Sequence, residues 1–152
     1  MTWVSSSTIA EVLRENSVGA ETLLLVDSQY ALPDAEWIAG IFAPSFHRLL
    51  QAAKIGQWAA EANDCDDFAR LAAAYAGILH ARTAAGLAVK CGLAFGEIVV
   101  WHDAVLRKGH ALNLFVSKND AGALGVKFFE PQTQQIVTLA EDETYEGYYI
   151  RM

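Results

Sequence analysis

The residue types of this chain change near residue 90, and that change limits the folds available to it. Before it, the sequence is rich in Ala and Leu, and apolar residues recur at spacings of three and four, which is typical of amphipathic helices. After it, β-branched and aromatic residues form short runs separated by Gly, Asn and Asp, which is typical of strands. Helices followed by strands predict an α+β fold, with N-terminal helices packed on a C-terminal antiparallel sheet.

Length and charge restrict the organisation and the partners of the chain. At 152 residues it is close to the size of one domain, and we predict a single domain over residues 1–152. A hydrophobic content of 53% with 19% charged residues excludes intrinsic disorder. The net charge is −7 and the basic residues are scattered. We therefore expect no nucleic-acid partner and no binding to an anionic membrane surface.

The sequence predicts a cytoplasmic protein. The first residues contain neither the basic stretch nor the apolar stretch of a signal peptide, so no signal peptide is expected. No apolar run approaches the roughly 20 residues of a membrane span. Two cysteines do not make a disulfide framework.

Individual elements follow from spacing, capping residues and breakers. Helices are predicted at 7–16, after Asp34, at 45–61 and at 64–83. Residues 22–27 are predicted to form a short buried strand, and residues 28–34 a loop. An antiparallel meander is predicted from strands at 97–102, 110–117, 124–130, 135–139 and 147–151.

Cys65 is placed at the start of the predicted helix 64–83. The helix dipole and the free N–H groups of a first turn lower the pKa of a thiol, and they can donate to an oxyanion beside the sulfur. Three acids flank Cys65 and favour a higher pKa of its thiol: Asp64, Asp66 and Asp67. A reactive thiolate therefore needs a cationic partner. The alternative interpretation is a buried structural cysteine.

His110 and Glu130 supply such a partner in the predicted sheet. His110 begins the run HALNLFVS, and Glu130 ends the next run, LGVKFFE. If the two strands form a hairpin, the start of the first lies beside the end of the second, so His110 and Glu130 are neighbours. The alternative is that each is a solvated residue at a strand end. A thiol at a helix start, an imidazole and a carboxylate together have the composition of a thiol hydrolase triad.

Several blocks of the sequence resemble a known family. They are DSQYALP at 27–33, NDCDDFA at 63–69, GHALNLF at 109–115 and FFEPQT at 128–133. Together they resemble the papain-like C-terminal domain of the Marasmius oreades agglutinin and its bacterial and phage-related relatives.

The resemblance implies a papain-like fold and cysteine proteolysis of a peptide or protein substrate, without a cofactor. Cys65 would be the nucleophile, His110 the general base and Glu130 the acid that orients the imidazole. Gln57, upstream of Cys65, is the candidate oxyanion-hole donor. Helix capping explains the acids around Cys65, so we name no metal site.

Two other functions remain open on the sequence. One is a papain-like binding or interaction module without catalysis. The other is an amidase of the NlpC/P60 type that acts on cell-wall peptides, which uses the same Cys–His chemistry.

Overall fold

The structure, a computed structural model, describes residues 2–56, 64–84, 91–103, 108–139 and 144–152. The predicted α+β class is confirmed. The described helices are α1 (Ser6–Glu15), α2 (Ala35–Trp37), α3 (Ala43–Ala53) and α4 (Cys65–Ala84), with a π-helical segment at Ile38–Phe42. The described strands are β1 (Trp3–Ser5), β2 (Gly19–Leu24), β3 (Gln29–Ala31), β4 (Gly92–Leu93), β5 (Phe95–Asp103), β6 (Lys108–Lys118), β7 (Leu124–Glu130), β8 (Gln135–Val137) and β9 (Thr144–Arg151).

The strands form two sheets. A six-stranded sheet has the order β2-β9-β5-β6-β7-β8, and a small sheet has the order β1-β3-β4. In the large sheet the pairs β9-β5, β5-β6, β6-β7 and β7-β8 are antiparallel, whereas β2 runs parallel to β9. The C-terminal strands are thus antiparallel, as predicted, and the N-terminal strand β2 adds to them in parallel, which was not predicted.

The predicted meander is correct from β5 to β8 and wrong at β9. The last strand pairs with β5 in the register Ile98↔Ile150 instead of lying beside β8. A period of two shows which face of a strand is apolar, but it does not say which strand is the neighbour. The crossing of β9 to β5 depends on how the whole sheet packs.

Two N-terminal predictions also differ from the structure. Residues 22–27 were expected to be a buried strand, but β2 is an edge strand with mostly exposed side chains, among them Leu23 and Leu24. Residues 28–34, expected to be a loop, include β3, whose Tyr30 and Ala31 are fully buried. An apolar run does not distinguish a central strand from an edge strand, and three residues are too few for a periodic signal.

The helices around Pro44 join and end differently from the prediction. Residues 35–53 are helical throughout, and Pro44 lies in the first turn of α3, where its missing N–H is tolerated. α3 stops at Ala53 because Lys54 takes the left-handed conformation, and Ile55 N–H closes the end by donating to Leu50 O at 2.9 Å. No helix in the described ranges is both long and apolar enough to cross a membrane.

The large sheet has an apolar core on each face. One core contains the buried face of α1 and the alternate β6 residues Leu112, Leu114 and Val116. The other contains α3, α4 and the aromatic rings of Phe42, Phe46, Phe95, Phe115 and Phe129. β6 is thus buried on both faces, and it is the strand against which α4 is positioned.

Candidate functional site

Cys65 is the first residue of α4 and is partly buried. The helix begins here because Asp64 acts as its cap: the Asp64 carbonyl accepts the N–H of Phe68 at 3.2 Å. Asp66 and Asp67 occupy the first turn, where carboxylates interact favourably with the positive end of the helix. Cys65 therefore belongs to the first turn, whose backbone N–H groups have no partner within the helix.

Two contacts fix the direction of α4 on the sheet. Near its start, the Asn113 side chain on β6 donates to Ala69 O at 2.8 Å. Near its end, His80 Nε2 donates to Cys91 O at 3.0 Å, just before β4 and β5. Helix α4 therefore runs antiparallel to β5 and parallel to β6. Its first residue, Cys65, lies at the end of the sheet where β6 begins.

His110 and Glu130 form a hydrogen-bonded pair at that same end of β6. His110 Nε2 lies 2.8 Å from Glu130 Oε2, and the two side chains are 28% and 16% exposed. The second carboxylate oxygen, Oε1, accepts the backbone N–H of Gln132 at 3.0 Å. Because an ionised carboxylate only accepts, Nε2 donates the proton, and in the neutral ring Nδ1 is the basic nitrogen.

The alternation of side chains along β6 determines which face of the sheet carries the His110 imidazole. Leu112 and Leu114 face α1, whereas Asn113 faces α4, so alternation assigns His110 to the α1 face. Among the described residues, the Cys65 thiol makes no hydrogen bond to the imidazole of His110. The alternation thus puts the His110 imidazole on the α1 face of β6 and the start of α4 on the opposite face, at the same end of the strand.

Three carboxylates surround the start of α4. Oxygens of Asp64, Asp66 and Asp67 lie within 4.8 Å of one another. A hydrogen bond shared with Asp66 raises the pKa of Asp64, and desolvation and the charge of Asp66 raise it further. The same bond, and then Arg70, lower the pKa of Asp66. Arg70 is the neighbouring cation, with Nη2 3.1 Å from Asp66 Oδ2.

We expect Asp64→Asn to change how stability depends on pH. A raised pKa means that Asp64 binds its proton more tightly in the folded state than in the unfolded one. Its stabilising contribution is present below the unfolded pKa, near 3.8, and is lost as the pH rises through the folded value. The melting temperature of the variant minus that of the parent should therefore increase from pH 4 to pH 7.

Thermal unfolding at several pH values measures this difference, with Asp120→Asn as the control. Asp120 lies exposed in the turn between β6 and β7. A difference for Asp64→Asn that does not change with pH contradicts the shared proton.

The structure thus brings His110 and Glu130 into contact and puts Cys65 at the same end of the sheet. Gln57, the predicted oxyanion donor, lies outside the described residues. Sequence reasoning missed Asn113, which is fully buried and joins α4 to β6. The signal was present, because an amide in the middle of the apolar run HALNLFV needs a buried partner.

Neither a protein-family model nor a curated protein matches this chain.

Proposed function

We propose that this chain is a papain-like cysteine hydrolase, and that its reaction is peptide hydrolysis. The observation that supports this most is the His110–Glu130 pair, held at 2.8 Å beside the end of the sheet at which α4 begins with Cys65. A histidine whose tautomer is set by a carboxylate, near a thiol on a helix start, is the arrangement that thiol hydrolases use.

In the proposed reaction, His110 Nδ1 takes the proton of the Cys65 thiol, and the thiolate attacks the carbonyl carbon of the substrate. The first-turn N–H groups of α4 donate to the oxyanion that forms. The C–N bond then breaks, and the leaving amine takes the proton from the imidazolium. Water attacks the resulting thioester with His110 as base, which releases the acid and restores the thiol.

Glu130 has two tasks in this scheme. It accepts the Nε2 proton, which keeps the basic lone pair on Nδ1, and its charge stabilises the imidazolium that forms. The Gln132 N–H bonds the other carboxylate oxygen, so Glu130 is restrained by both oxygens. The fixed carboxylate reduces the number of orientations available to the imidazole.

The test is to trap the acyl-enzyme in a Cys91→Ser variant, in which Cys65 is the only thiol. Labelled casein, a set of peptide esters and amides, and cell-wall muropeptides are each incubated with the protein. We expect product release, and by mass spectrometry an acyl group on Cys65 that is absent from a variant that also carries Cys65→Ala. Acylation by muropeptides alone would make the protein an amidase of the cell-wall type.

The second candidate is a binding module without turnover, and one observation favours it: the thiol and the imidazole make no hydrogen bond in the described residues. Catalytic hydrogen bonds often tighten only when substrate is bound, so the hydrolase proposal does not require this bond in the free protein. If no substrate is turned over and none acylates Cys65, the hydrolase proposal is wrong.

A further inference from the structure

A cavity of about 700 Å³ lies between α4 and the strands β4 and β5. Its apolar wall comes from small residues of α4 and from two larger side chains: Ala73, Ala74, Gly77, Ala81, Leu93 and Phe95. Along α4 the lining begins at Arg70 and continues away from Cys65. This volume lies within the range of about 300–1,000 Å³ that small-molecule sites have.

A buried carboxylate lines the cavity. Glu97 on β5 is only 8% exposed, yet among the described residues it makes no hydrogen bond. Its ion-pair partner there is Arg70, whose Nε lies 3.8 Å from Glu97 Oε2. Arg70 makes its shorter contact with Asp66, at 3.1 Å, and a further one with Asp67 at 3.8 Å.

One arginine thus faces three carboxylates, and its contact with the buried one, at 3.8 Å, is longer than a hydrogen bond. A buried charge without hydrogen bonds is costly, and a cation that can donate to it relieves that cost. Two more charged side chains line the cavity, the exposed carboxylate of Asp27 and the exposed guanidinium of Arg151, which lies opposite Glu97 on β9. The carboxylate of Glu97 therefore has acceptor capacity left for a compact cation that carries N–H donors.

We propose that this cavity binds a primary alkylamine, with its ammonium group on Glu97 and its aliphatic body against the apolar wall. An ammonium has three donors and no bulk, so it fits beside Arg70 on a carboxylate that accepts in several directions. The alanines, Gly77, Leu93 and Phe95 contact the alkyl chain, whose burial adds about 0.8 kcal/mol for each CH₂ group.

The ligand preference is tested on the unmodified chain by calorimetric titration at pH 7 with pentylamine, 1-pentanol and pentanoate. The three probes have the same chain length and differ in head-group charge. We expect pentylamine to bind at least tenfold more tightly than either of the others. Equal affinities, or no pentylamine binding at millimolar concentration, would overturn the proposal.

Two variants locate the binding. Glu97→Gln keeps the shape and removes the charge, so it should weaken pentylamine binding at least tenfold and leave 1-pentanol binding unchanged. Glu36→Gln, at an exposed position on α2, is the control. An unchanged pentylamine affinity in Glu97→Gln rejects the assignment.

Gly77→Leu fills the cavity without relying on Glu97. A Cβ at Gly77 meets nothing within 4 Å, and leucine is the better helix former, so the variant should fold and melt no lower than the parent. We expect it to bind none of the probes. Retained pentylamine binding in a folded Gly77→Leu protein would place the ligand elsewhere and overturn the proposal.

Discussion

Replacing His110 by alanine is expected to slow the alkylation of Cys65 by iodoacetamide at pH 7 about 10²–10⁴-fold, the range that a positioned base contributes. The thiolate is the reacting form of cysteine, and in the proposed reaction His110, which bonds Glu130, is the base that forms it. The rate is measured by mass spectrometry in the Cys91→Ser variant, so that Cys65 is the only thiol modified.

His47→Ala is the matched control, because His47 is exposed on α3 and bonds Gln134 Oε1 at 2.9 Å. Its rate should equal that of the parent. Glu130→Gln should give an intermediate rate, since the amide can still accept from Nε2 but has no charge to stabilise the imidazolium. A rate in His110→Ala within twofold of the parent would mean that the imidazole does not activate the thiol.

The second large effect concerns Asn113, which we expect to be essential for stability. Its Nδ2 donates to Ala69 O at 2.8 Å and to Gly96 O at 3.0 Å, and the residue is fully buried. Asn113→Leu keeps the size and removes both donors. Each hydrogen bond that is lost costs about 0.5–1.5 kcal/mol, so the free energy of unfolding should fall by about 1–3 kcal/mol.

Ser117→Ala, on the same strand, is the control for this measurement. Ser117 is equally buried, but its Oγ has no hydrogen-bond partner, so removing it should leave the free energy of unfolding unchanged or slightly higher. Urea unfolding of the two variants gives the comparison. Equal losses for Asn113→Leu and Ser117→Ala would show that the bond from β6 to α4 does not stabilise the protein.

Asn113 also connects stability with the proposed site. It holds Ala69, one turn of α4 after Cys65, against β6, the strand that carries His110. Where Asn113→Leu still folds, alkylation of Cys65 should therefore slow as well, because the helix start is no longer held in register with β6. Ser117→Ala, at the far end of β6, should leave the alkylation rate unchanged.

The local pattern predicted most of the elements near the site, because their apolar spacing is regular. The helix 64–83 corresponds to α4, and the runs 110–117 and 124–130 correspond to β6 and β7. Regular spacing and end residues act over a few positions, so they are readable without the rest of the chain. The hairpin inference likewise used only short-range geometry, and the structure has His110 and Glu130 in contact.

The local pattern did not predict which strands pair when they are distant in the sequence. Nothing in the spacing of β9 indicates that it pairs with β5, or that β2 adds to it in parallel. The end of α3 at Lys54 was also missed, because any residue can adopt one left-handed turn when the packing around it repays the cost.

The sequence by itself determined the α+β class, the long helix that starts at Cys65 and the pairing of His110 with Glu130, since each depends on contacts within one element or one hairpin. Only the tertiary structure decided which end of the sheet α4 meets, and only it left Glu97 buried beside a cavity. The position of α4 and the burial of Glu97 both depend on which face of the sheet a distant helix covers. Because β6 is buried on both faces, its apolar pattern does not indicate which face α4 covers.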